Sequence, residues 1–168
     1  MHRKAGVSSA SAPGQQSGLR VFHCRHAIGA KCSGLALVAN DGLSARYDLD
    51  RVAGTFSRPT HKLAGQSYVG RILVLDTAKG GVASAWMLRE MALRGIVPLA
   101  IVFNTVNPIL AQGAAFGEVS MLAGFDGDIT ALVPNGALVE IDPAARTLTL
   151  LPLPGHSDRQ EAATSDVH

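Results

Sequence analysis

Four aliphatic residues in a row, Ile72 to Leu75, limit this chain more than any other stretch of its sequence. Such a run has no polar face, so as a strand it must be covered on both sides. The turn Lys79-Gly80-Gly81 follows, and residues from about Val82 to Arg94 read as a helix. Gly95 suits a left-handed C-terminal cap and Pro98 lies just beyond it, so the helix stops there. Pro98 to Phe103 reads as a second buried strand. Strand, helix and strand make a β-α-β unit, which requires parallel strands and a right-handed crossover. Asn107 to Gly117 is a second helix, weakened by Gly113.

On either side of this unit the pattern is shorter-ranged. Arg20 to Ile28 and Ser33 to Ala39 read as short strands. Asn40 to Gly54 reads as a long polar connection with turn signals at Asn40-Asp41-Gly42 and Ala53-Gly54. Thr130 to Val133, Ala137 to Ile141 and Thr147 to Leu151 complete the set as short strands. The expected class is α/β: a β/β/α domain over residues 19–154, with a mixed central sheet, a second β layer and helices on one side. Residues 1–18 and 155–168 are polar or small and offer nothing to bury, so both are expected to be disordered tails. His156 and His168, in the second tail, read as solvated.

Composition excludes several functions. The chain is 47% hydrophobic but only 5% aromatic, a core of small aliphatic side chains. Its 15 basic and 13 acidic residues contain no basic block interleaved with aromatics, so nucleic-acid binding has no support. No apolar stretch approaches the roughly 20 residues that cross a bilayer, and no membrane contact is expected. The two cysteines, Cys24 and Cys32, supply no disulfide framework for a chain of this size, which fits a reducing cytoplasm. His23 and His26 beside Cys24 invite a metal, but on a strand those two histidines face opposite ways. No second ligand pair has zinc spacing, so no metal site is expected on this chain.

Chemistry is best placed at the turn between the first buried strand and its helix. Ligands of open α/β sheets bind at the carboxyl ends of the strands. Gly80 and Gly81 let a ligand approach the backbone, and the free N–H groups of the first helical turn favour an anion. Lys79, Gly80, Gly81 and Val82 are therefore candidate substrate-binding residues. Ser84 either caps the helix or contributes its hydroxyl to the site. His61, in the loop Arg58 to Gly65, is a candidate for the same site or a turn-stabilising residue. On a helical projection Ala85, Met87, Leu88, Met91 and Ala92 form one apolar arc, and Trp86 lies off it. The only tryptophan either meets a partner or is covered by the second β layer.

The run Thr60-His61-Lys62-Leu63-Ala64-Gly65-Gln66-Ser67, then Gly70 to Leu75, resembles the swivel domain of aconitase X. That family carries a loop reading His-Pro-Leu-x-Gly ahead of Gly-Lys-x-Leu-Val. The glycine turn, the helix, Val97 to Val102 and Asn107 to Ala114 follow in the family's order, so the resemblance spans residues 19–151. It implies a swivelling β/β/α fold and a role as the small subunit of a hydro-lyase. It also implies a large catalytic subunit as partner, carrying an iron or iron–sulfur centre, and a small carboxylate as substrate. Family activities include dehydration of cis-3-hydroxy-L-proline, the substrate expected first, and of a phosphomevalonate. A serine of the swivel chain completes the site in this family. The family turn commonly reads Gly-x-Gly-Ser, with Gly81 at that serine's position here, so the resemblance leaves the proton-acceptor role to Ser84, the only hydroxyl of the turn. A non-catalytic module that binds a small anion or regulates a partner is the alternative. The turn is also similar to the phosphohistidine swivel domain of phosphoenolpyruvate-using enzymes. Their phosphorylated histidine directly follows the serine, and here that position is Ala85, which excludes phosphoryl transfer.

Overall fold

In the computed structural model, which describes residues 18–154, the β-α-β unit is present as expected. It consists of β5 (Ile72–Ala78), α1 (Val82–Leu93) and β6 (Ala100–Thr105), with β5 and β6 parallel. The expected tails lie outside the described residues, apart from Gly18. Ile72, Leu73, Val74 and Leu75 are all fully buried. Alternation along the strand sends them into two cores. Leu73 and Leu75 join Ile101, Phe103 and the helices, whereas Ile72 and Val74 join Ala100, Val102 and the second β layer.

The remaining strands are β1 (Arg20–Ile28), β2 (Cys32–Leu43), β7 (Ser120–Phe125), β8 (Leu138–Asp142) and β9 (Thr147–Leu150). They close into a barrel of order β1-β7-β6-β5-β2-β8-β9, with β9 returning to β1. Closure depends on two long strands that change partners midway. β1 pairs with β9 through Arg20–His23 and with β7 from Cys24 on; β2 pairs with β8 through Cys32–Leu35 and with β5 from Ala36 on. A mixed five-stranded layer therefore faces an antiparallel one. α1 and α2 (Pro108–Phe116) pack on the outer face of the mixed layer, which is the expected β/β/α arrangement.

Three local expectations are corrected. Residues 120–125, unassigned from sequence, form the buried strand β7, although Ser-Met-Leu-Ala-Gly-Phe contains no β-branched residue; burial on both faces outweighs propensity here. Thr130 to Val133 is not a strand. Asp128 accepts a hydrogen bond from the Thr130 N–H at 3.0 Å and starts the single turn α3 (Ile129–Leu132). Asn40 to Leu43 belongs to β2, with a register shift between Ala39 and Gly42; beyond it β3 (Leu49–Asp50) and β4 (Thr55–Phe56) form a small hairpin.

The stop signal of α1 works as read. Gly95 has φ +70°, its N–H reaches Ala92 O at 3.1 Å, and the Ile96 N–H reaches Met91 O at 3.1 Å. These two bonds make a Schellman motif. Gly113, a weak point of α2 by propensity, has a packing reason: a Cβ there would overlap Ala85 of α1. Gly113→Ala is therefore expected to destabilise the chain by about 1–3 kcal/mol, the cost of overpacking, despite alanine's better helix propensity. Thermal unfolding checks this; a raised Tm would mean that the two helices separate freely.

Candidate functional site

The carboxyl ends of β2 and β5 set the site. Their parallel register pairs Gly42 with Thr77 and Leu43 with Ala78, and Lys79 N–H donates to Leu43 O at 2.7 Å. The residues after each strand, Ser44 on one side and Lys79-Gly80-Gly81 on the other, are thereby brought together. Gly42 is a glycine for a visible reason: a Cβ would strike the Lys79 side chain, which lies across it. Lys79 and Gly80 are exposed, and Asn107 Nδ2 donates to Gly80 O at 3.1 Å, tying the turn to the segment ahead of α2.

Gly81 is the N-cap of α1 and no side chain caps the helix. Ser84 is thus not the cap, which settles one of its two expected roles. The Ser84 and Ala85 N–H groups both donate to Gly81 O, at 3.0 and 3.3 Å. The Val82 and Ala83 amides ahead of them have no acceptor within the helix and are available to an anion. Ser84 itself is only 1% exposed. It lies in the buried stripe with Leu88 and Met91, against Gly80, whose φ of +101° and lack of Cβ make room for the Ser84 hydroxyl. Among the described residues nothing hydrogen-bonds that hydroxyl.

Behind the turn stands a polar support that sequence reading missed. Ser44 N–H donates to Asp48 Oδ2 at 2.7 Å, and Asp48 Oδ1 lies 2.6 Å from Arg58 Nε, an ion pair off the line of a hydrogen bond. Arg58 also reaches Asp41 at 3.6 Å. Burial pushes the Asp41 carboxyl up, but the Lys62 and Gly42 amides and the Arg58 charge outweigh it and hold the group below the usual carboxylate range. His61, 3% exposed, stacks on Phe56 with ring centroids 4.5 Å apart. Its Nδ1 accepts from the Leu63 N–H at 3.1 Å, so Nε2 carries the proton and donates to Gly42 O at 2.9 Å. His61 is thereby brought to the strand end beneath Lys79, with both ring nitrogens engaged by the protein. Ser44 and Asp48 meet within the loop after β2, Arg58 joins them beside the β3–β4 hairpin, and the β2–β5 register brings the group to the glycine turn, which no local sequence signal marks.

Trp86 is 62% exposed, so the second β layer does not cover it. It lines a 270 Å³ groove between α1 and α2 with Val82, Ala85, Arg89 and Ile109, and Arg89 sits 5.8 Å from its ring centroid. His23 and His26 are both exposed on β1, flanking buried Cys24. Burial pushes the Cys24 and Cys32 thiols up, away from a reactive thiolate. Among the described residues no three His, Cys, Asp or Glu side chains converge as metal ligands, and no helix is long and apolar enough to cross a membrane.

A two-layer β barrel with helices on its outer face, and a glycine turn offering free amides at the carboxyl end of a parallel strand, defines a swivelling β/β/α domain. The chain belongs to the aconitase X swivel domain family, whose model matches residues 21–150. It is 31% identical over 110 residues to the phosphomevalonate dehydratase small subunit of Methanopyrus kandleri, covering 66% of this chain and 82% of that one. The corresponding Methanothermobacter thermautotrophicus subunit is 29% identical over 119 residues, covering 71% and 91%. The fold matches Thermococcus kodakaraensis aconitase X in its holo-form with a TM-score of 0.74 at 24% identity, over 79% of this chain and 99% of that one. It also matches the solution structure of a UPF0107 protein, with a TM-score of 0.72 at 26% identity over 79% and 100% of the two chains.

Proposed function

We propose that this chain is the small subunit of an aconitase X type dehydratase acting on a phosphomevalonate, and that it needs a large subunit for turnover. The observation that carries this is the Lys79–Ala83 turn: a cation and unbonded helical amides at the mouth of a domain from this family. Relatives spanning most of their own length in the match bear the phosphomevalonate name. Charge favours the same choice over cis-3-hydroxy-L-proline. A phosphomevalonate brings a phosphate and a carboxylate, whereas the proline brings a carboxylate beside a cationic amine that Lys79 repels.

In this reading Lys79 and the Gly80–Ala83 backbone hold one anionic group of the substrate and orient it. His61 fixes Gly42, and through it the floor under Lys79. Ser84 accepts the proton α to the carboxylate; a free serine is a weak base, so the adjacent amides and Lys79 must stabilise its oxyanion. An iron or iron–sulfur centre, expected on the large subunit, would supply the Lewis acid for the departing hydroxide. The opposing reading, a non-catalytic anion-binding or regulatory module, draws on the near-complete burial of Ser84.

Two measurements test the proposal. The reconstituted pair is expected to turn over phosphomevalonate and to leave cis-3-hydroxy-L-proline unchanged; the reverse preference overturns the substrate assignment. Trp86 is the expected contact with the large subunit, since aromatic anchors in apolar grooves dominate such interfaces. In the free chain its emission should be red-shifted and quenched by iodide, and adding the large subunit should shift it to the blue. An emission unchanged by a partner that restores turnover removes Trp86 from the interface.

A further inference from the structure

Ser44 Oγ and Arg58 Nε are the two fully buried side-chain polar atoms without a hydrogen bond among the described residues. Ser44 is 6% exposed, and its Oγ is buried with no hydrogen-bond partner. Buried hydroxyls are normally paired, so an unpaired one in a settled backbone calls for an explanation. The backbone around it is settled. Its N–H is held by Asp48 Oδ2 at 2.7 Å, and its carbonyl accepts from the Tyr47 and Asp48 N–H groups at 3.2 and 2.9 Å. Arg58 in turn fixes Asp48.

The hydroxyl points to the turn. An ideal Cβ built on Gly80 would lie 3.5 Å from Ser44 Oγ and would overlap Ser84 Oγ. Two buried hydroxyls, one fixed by the Asp48–Arg58 support and one on the first turn of α1, thus flank the same glycine. Neither has a bonding partner among the described residues.

We propose that Ser44 is a positioning residue for the turn: its hydroxyl donates a hydrogen bond to Ser84 Oγ when an anion occupies the Gly80–Ala83 backbone. The inference rests on the turn being an anion site. Glycine at position 80 leaves no side chain between the two hydroxyls. The bond couples anion binding to the Asp48–Arg58 support and gives the Ser84 oxygen a donor on the side away from the ligand. A donor to that oxygen stabilises negative charge developing on it.

The test uses the full chain and inorganic phosphate, followed through the amide NMR signals of Gly81, Val82 and Ala83. Wild type should bind phosphate at these amides. Ser44→Ala and Ser84→Ala should each weaken binding roughly tenfold, the loss of one hydrogen bond in a charged site. The double variant should be no weaker than either single one, because both remove the same bond. Ser44→Thr, which keeps the hydroxyl, should stay within about threefold of wild type, a difference near the limit of additivity. If Ser44→Ala does not fold, Ser44→Cys replaces it, with similar shape and a weak donor. Wild-type phosphate affinity in the Ser44 variant overturns the inference and leaves the anion site standing. Losses that multiply in the double variant also overturn it, since the two serines then act separately. If wild type shows no phosphate shift at these amides, the anion reading of the turn fails and the inference falls with it.

Discussion

Ser84→Ala, assayed with the large subunit present, is expected to lose at least about 100-fold in turnover, the lower end of what a general acid–base group contributes. Its stability should hardly change. The helix is capped at Gly81 without a side chain, so no cap is lost, and the removed hydroxyl has no partner among the described residues. Deleting an unbonded buried polar group is close to neutral, within about 0.5 kcal/mol. Ala83→Ser is the matched control. It places a hydroxyl one residue earlier, on an exposed position, and should not rescue Ser84→Ala. Full turnover in the single variant would assign the proton acceptor to the large subunit and leave this chain to position the substrate.

Gly80→Ala should be nearly as damaging, by a different route. The residue sits at φ +101°, where an L side chain is strained, and the new Cβ would overlap the Ser84 hydroxyl. The strain costs about 1–3 kcal/mol, visible as a Tm lowered by several degrees. Relieving the overlap must move either the turn or Ser84. A shift near 1 Å in a reacting group costs on the order of 100-fold in rate. Gly81→Ala separates the two effects. Gly81 has φ −129° and open space around a built Cβ, so that variant should fold, losing about 1 kcal/mol for alanine in place of glycine at the N-cap. A Gly80→Ala pair that keeps full turnover would show that the turn does not carry the chemistry.

The parts legible in the sequence were those written locally. Ile72–Leu75, the glycine turn and the Gly95 stop lie within one stretch, and each carries its own physical signal. β7 was illegible because Ser120–Phe125 has the composition of a helix or loop and becomes a strand only through burial between β1 and β6. The run Thr130-Ala131-Leu132-Val133 has the look of a short strand, and the Asp128 cap that makes it α3 lies just outside it. The site divides the same way. Lys79, Gly80, Gly81 and Val82 could be chosen from one turn, and the exposure of Trp86 from one helical projection. Ser44, Asp48, Arg58 and Asp41 are brought to that turn by the parallel pairing of β2 with β5. A single sequence contains no signal for such a register.

The central claim is that this chain completes a dehydratase whose other half is a large subunit. Loss of phosphomevalonate and formation of its dehydrated product, measured for each subunit alone and for the mixture, tests it most directly. Neither chain alone is expected to turn over, and turnover should saturate as this chain is titrated into the large subunit. Full turnover by the large subunit alone, unchanged when this chain is added, would contradict it.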